Sequence, residues 1–183
     1  MPTPVGHAIG GLAAAFLTNA AARRPHLTIP VLLAAMGLAI SPDLDIVAGS
    51  HRTYTHSIGA VAAVGLISWA VLRRRHADAV SLAAALAAAY GSHLVCDLMG
   101  KDSRAPVGLT ALWPFSRSFY TSGVDLFGEV SRRYWLPSEF VVGNLRAVAW
   151  EAAVLAPLLM MAWAWWSGRT LRVGRRRSEV GRR

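Results

Sequence analysis

The chain has 183 residues, of which 54% are apolar and only 16% charged, with one cysteine and a mean hydropathy of +0.38. That balance fits a single compact helical membrane domain with room for a handful of spans, and it excludes an ordinary charged soluble domain. The net charge of +9 and isoelectric point of about 11.2 would raise nucleic-acid binding in a soluble protein. Here the arginines flank apolar segments instead of forming an aromatic-interleaved basic surface, so no specific nucleic-acid partner is expected.

Five apolar segments follow in chain order, at roughly 4–22, 27–40, 57–72, 79–99 and 145–166. The first lacks a basic start, carries His7 near its beginning and ends on Arg23-Arg24, the wrong order for a cleaved signal peptide. The second would reach only about 21 Å, against about 30 Å for a bilayer core, so it is either a half-deep helix or one lengthened by its flanks. Glycine and alanine crowd these segments, as in Gly6-His-Ala-Ile-Gly10 and the alanine-rich run 83–89, which lets helix backbones approach closely in lipid. Cys96 lies in such a stretch, cannot form an internal disulfide, and reads as a small packing residue.

Residues 100–144 change character. Prolines, glycines and the aromatics Trp113, Phe115, Phe119, Tyr120, Phe127, Tyr134 and Trp135 predict an interfacial cap with short helices. Trp163, Trp165 and Trp166 read as an interfacial anchor, and the Arg-rich stretch 169–183 as a disordered cytoplasmic tail beyond a domain of residues 1–168. The predicted fold class is all-α, a polytopic membrane protein with about five apolar helices and an interfacial cap.

If all five segments span, one face receives Arg23, Arg24, Arg73, Arg74, Arg75 and the C-terminal arginines, and the positive-inside rule makes that face cytoplasmic. The same alternation sends His7, Asp43, Asp45, His51, His56, His93 and Asp97 to the opposite face. Ionisable groups are costly near lipid, so their gathering at one end of otherwise apolar segments marks a functional site. His93 and Asp97 are spaced i, i+4 and share a helix face, whereas Asp43 and Asp45 follow Pro42, where a turn would let alternate residues converge. Imidazole and carboxylate ligands without thiolates suit catalytic zinc, and seven candidates exceed what one open ion needs, so two or more ions are expected. Paired ions would activate water for attack on a phosphoester, with Asp43 or Asp45 taking its proton. Arg52, Lys101, Arg104 and Arg117 fall on the same face as candidate phosphate clamps, with Arg52 foremost. His26 and His76 lie beside arginines on the other face and are not expected to be ligands.

The succession Gly6-His7, Pro42-Asp-Leu-Asp45, His51-Arg-Thr-Tyr-Thr-His56-Ser, His93-Leu-Val-Cys-Asp97 and Leu112-Trp-Pro-Phe-Ser116 resembles the YdjM-like, or LexA-regulated, bacterial inner-membrane metal-dependent hydrolases. The likeness covers most of residues 1–120. That family looks distantly similar to zinc-dependent phospholipase C and the zinc single-strand nucleases, which implies a metal-dependent hydrolase with a phosphoester substrate, lipid-linked or similar, in the inner membrane. One departure is the absence of a glycine after Arg52, where the family pattern leads one to expect it. The alternatives are a metal-binding or ion- or proton-transporting membrane protein without hydrolytic chemistry, which would place carboxylates near mid-bilayer, and a haem protein with two facing histidines.

Overall fold

The computed structural model of the chain describes residues 2–23, 25–48, 52–103, 105–131 and 134–180. Helix α1 (Pro4–Ala20) opens with a proline, whose missing N–H costs nothing in a first turn, and with the Thr3 hydroxyl accepting from the Gly6 N–H at 3.2 Å. Helix α2 (Ile29–Ile40) passes directly into a 3-10 helix, Ser41–Ala48. Pro42 forces that change, because it has no N–H to donate and its ring crowds the preceding turn. The Ser41 hydroxyl bonds back to the Leu38 carbonyl at 2.9 Å. Together the two pieces form one apolar rod over Ile29–Val47, so the short second segment is lengthened by its C-terminal flank. Helix α3 (Ile58–Leu72) is capped by the Ser57 hydroxyl, which accepts from the Ala60 N–H at 3.2 Å. Helices α4 (Ala79–Leu98) and α5 (Pro137–Val180) complete the set.

Three of these rods are long and apolar enough to cross a membrane: Ile29–Val47, Ala79–Leu98 and Pro137–Arg175. The other two apolar helices are shorter, 17 residues in α1 and 15 in α3, or about 26 and 23 Å at 1.5 Å per residue. Helix α5 also departs from expectation at both ends. It takes in 137–144, assigned above to the cap, and continues past Ser167 to Val180 where disorder was expected. Gly168 and Gly174 cost about 1 kcal/mol each in a helix, not enough to end it among good helix formers. Arg169 also docks the extension, its Nε donating to the Ala20 carbonyl at 3.1 Å and a terminal nitrogen to Ala22 at 3.4 Å, where the α1 dipole is negative.

Helix α1 packs against α2, α4 and α5, and α4 packs against α2 and α3. At Gly11 a Cβ would run into the Ala39 methyl and lie 3.3 Å from the Ala35 carbonyl, so this glycine sets the α1–α2 approach. Ala13, Ala15, Ala35, Ala85 and Ala89 fill the seam around Phe16, Leu82 and Leu86. At the far end of α1, buried Asn19 bonds Ser81 of α4 and the indole N–H of Trp166, both at 2.9 Å. Trp166 is therefore tied into the bundle, whereas Trp163 and Trp165 are exposed.

The cap contains none of the expected short helices among its described residues. Its prolines and glycines resist helix, and its backbone groups find partners across the chain instead. Leu109 and Tyr120 exchange two bonds at 3.0 and 2.9 Å, and Lys101 N–H donates to the Phe127 carbonyl at 2.8 Å. Gly108, at φ +96°, is required there, since a side chain would collide with the Tyr120 carbonyl.

Candidate metal centre

Where α1 begins and α2 and α4 end, five of the expected ligands meet. His93 and Asp97 stand one turn apart on α4, with Nε2 3.2 Å from Oδ2. Asp43 comes from the 3-10 helix, and its Oδ1 lies 3.6 Å from His56 Nε2 and 3.7 Å from His93 Nε2. His56 precedes α3, its Nε2 3.1 Å from His93 Nε2 and 3.5 Å from Asp97 Oδ2. Ligand atoms of Asp43, His56, His93 and Asp97 all fall within 4.8 Å of one another. Tetrahedral zinc with ligands at about 2.0–2.1 Å would set donor atoms about 3.3 Å apart, so the spacing suits such an ion.

The far ring nitrogens fix which atoms face inward. His93 Nδ1 lies 2.8 Å from the Ala39 carbonyl, which can only accept, so Nδ1 carries the proton and Nε2 presents its lone pair to the cluster. His56 Nδ1 lies 3.2 Å from Asp45 Oδ2, with the same consequence. Two imidazole lone pairs and two carboxylates therefore point at one spot, and no Lys or Arg ion pair with either carboxylate is seen among the described residues. Such an arrangement repels itself unless a metal cation or a proton on an imidazole is shared.

A second group adjoins the first. His7, on α1, stacks on His93 with ring centroids 3.8 Å apart, and its Nε2 lies 3.4 Å from Asp97 Oδ1 and 4.0 Å from Asp43 Oδ2. Each carboxylate thus turns one oxygen to His56 and His93 and the other to His7. Both His7 ring nitrogens and both Asp97 oxygens are buried without a hydrogen-bond partner among the described residues, as unfilled ligand atoms would be. Asp43, its side chain 23% exposed, is the solvent contact of a group whose other members are closed off at 0%.

Asp45 does not join the inward-facing donors, contrary to the expectation that it and Asp43 converge. At 3.0 residues per turn, positions two apart in a 3-10 helix diverge by about 240°. Asp45 instead accepts from His56 Nδ1, from the Thr55 hydroxyl at 2.6 Å and from Arg52 N–H at 3.1 Å. His51 lies outside the described residues, as does Arg104.

Arg52 is not an open phosphate clamp. It is buried, and its guanidinium donates to Asp102 at 2.5 Å. Its backbone is left-handed at φ +67°, immediately before the position where the family pattern suggests glycine. That conformation costs about 1–2 kcal/mol for a residue with a side chain, here offset by the bonds to Asp45, to Asp102 and from Thr110 N–H at 3.1 Å. Arg52 therefore stitches the loop before α3 to the cap, while Lys101 and Arg117 are exposed. His26 and His76 fall at the opposite end, beyond the last turns of α1 and α3.

Sequence reasoning missed Asp102, the anchor of Arg52, and Glu151, a buried acid that contacts the first turn of α1. The rule that singled out the other ionisable groups would have found Glu151, the one acid between Leu145 and Trp166.

Among known proteins, a family model described as YdjM inner membrane protein matches residues 1–171. No curated protein and no solved structure matches.

Proposed function

The chain belongs to the YdjM inner membrane protein family, and we propose that it is a membrane-bound metal-dependent hydrolase, with zinc as the metal, two ions per centre and a lipid-borne phosphoester as substrate. The observation that carries this reading is the division of the two carboxylates, one oxygen each toward the His56–His93 pair and the other toward His7. His56, His93 and the inner oxygens would hold one ion, and His7 with the outer oxygens the other. Bound divalent ions supply Lewis acidity at the phosphoester oxygens and bring water's pKa toward neutrality.

The protein's own part is to hold and orient. Ala39 and Asp45 keep His93 and His56 in the tautomers that face the ions. Asp43, the solvent contact, marks the side from which water reaches the centre; both its oxygens are given to the ions and Asp45 is committed behind His56, so neither carboxylate is assigned as the water's base. A narrow cleft lined by Arg52, Asp97, Asp102, Gly108 and Tyr120 lies between the centre and the cap and has room for about one water molecule, so the way in for substrate is the exposed side of Asp43. Exposed Lys101 supplies positive charge beside that cleft.

The test is zinc-reconstituted protein in nanodiscs, offered bis(p-nitrophenyl) phosphate and phospholipid vesicles, with His93→Ala as the control. Zinc-dependent cleavage that disappears in the variant supports the reading. Wild-type protein that binds zinc and cleaves neither substrate class overturns it, leaving metal binding without chemistry.

A further inference from the structure

Glu151 sits on α5 at 1% exposure, as the one charged residue in the otherwise apolar stretch 147–166. An acid at such a place persists only where its oxygens are satisfied, and both are satisfied by one residue. Thr3 N–H donates to Oε1 at 2.9 Å, and the Thr3 hydroxyl donates to Oε2 at 2.5 Å.

Thr3 is the cap of α1. Its hydroxyl oxygen also accepts from Gly6 N–H at 3.2 Å, and its carbonyl accepts from His7 N–H at 3.1 Å. Two hydrogen bonds in series therefore connect the Glu151 carboxylate to the His7 backbone. A Cβ at Gly6 would run into that carboxylate, so the glycine beside His7 is what admits it.

His7 needs such an anchor more than the other two imidazoles do. His93 is oriented from behind by the Ala39 carbonyl and His56 by Asp45, whereas neither ring nitrogen of His7 has a hydrogen-bond partner among the described residues. Apart from its stacking on His93 and the facing carboxylates of Asp43 and Asp97, the ring takes its direction from the first turn of α1.

We infer that Glu151 is a positioning residue, which through Thr3 fixes the first turn of α1 so that His7 faces the outer oxygens of Asp43 and Asp97. Its consequence for metal binding rests on the two-ion reading above, but the positioning itself does not. Glu151→Leu removes both acceptors, and Glu151→Gln keeps one carbonyl oxygen, which can receive one of the two Thr3 bonds.

The experiment is carbethoxylation of metal-free protein in detergent by diethylpyrocarbonate, with each histidine followed by mass spectrometry and helix content checked by circular dichroism. Glu151→Leu should raise the modification rate of His7 about tenfold, as expected of a locally loosened turn, while His56 and His93 keep the wild-type rate. Glu151→Gln, with one acceptor left, should fall between Glu151→Leu and wild type. After zinc loading, Glu151→Leu should retain about half the wild-type metal. Unchanged protection of His7 in Glu151→Leu overturns the inference, and so does an equal rise at all three histidines, which marks general loosening. If wild type binds one ion while His7 protection still follows Glu151, the two-ion reading fails and the positioning role stands.

Discussion

Asp43 and Asp45 are chemically identical and two positions apart, yet one faces the centre and the other supports it from behind. The difference is rotation along a 3-10 helix, and it predicts different phenotypes. Asp43→Ala should remove a ligand from both groups. Asp45→Asn should lower zinc affinity about 10- to 100-fold without abolishing binding, because His56 loses its orienting partner but keeps its ligand atom. Competition with a chromophoric chelator measures both, and equal affinities for Asp45→Asn and wild type would count against the supporting role. His26→Ala and His76→Ala should leave zinc binding unchanged. His7, His93 and Asp97 were legible in the sequence because each is a polar residue in an apolar segment, and His56 because its polar loop leads straight into one. The roles of Asp43 and Asp45 were not, since Pro-Asp-Leu-Asp reads equally well as a turn, where the pair converges, or as a tight helix, where it does not.

At the level of elements, the loop from Arg52 to Ser57 and the cap form one unit. Thr110 N–H donates to the Arg52 carbonyl, Ile58 N–H to Ala111 at 2.9 Å, and Tyr90 OH to Thr55 at 2.7 Å. If Arg52 acts through Asp102, then Arg52→Ala and Asp102→Ala should impair turnover alike, and the double variant should be little worse than either, with zinc retained in all three. Additive losses would show that Arg52 has a separate substrate contact. The α1–α2 seam makes a different demand. Gly11→Val should destabilise the bundle by about 1–3 kcal/mol, because a branched side chain has no space against Ala39, and denaturation in detergent mixtures would measure the loss. The positions of all five helices followed from hydropathy and arginine boundaries. The ends of α5 did not, because its polar extension is held by Arg169 on the α1 carbonyls, a contact between residues far apart in the chain. The cap's backbone pairing, equally non-local, left no periodic signal either.

For the whole molecule, the helices alternate so that the candidate ligands gather at one end and Arg23, Arg73, Arg74, Arg75 and Arg169 at the other. We propose on the positive-inside rule that the arginine end is cytoplasmic and the metal end is not. Cysteines placed at Ser103 and Arg172 should then label from opposite sides of sealed vesicles, and labelling from the same side would refute that orientation. The gathering of ionisable groups at one end was readable from the order of segments alone, whereas the bridging arrangement of the two carboxylates required coordinates. That arrangement is the centre of the account, and its most direct test is zinc content per chain in detergent-purified wild type, His7→Ala and Asp97→Ala. The account predicts two ions in wild type, one in His7→Ala and neither at full occupancy in Asp97→Ala, because Asp97 serves both positions. Full zinc occupancy in Asp97→Ala, with the helices intact, would contradict it.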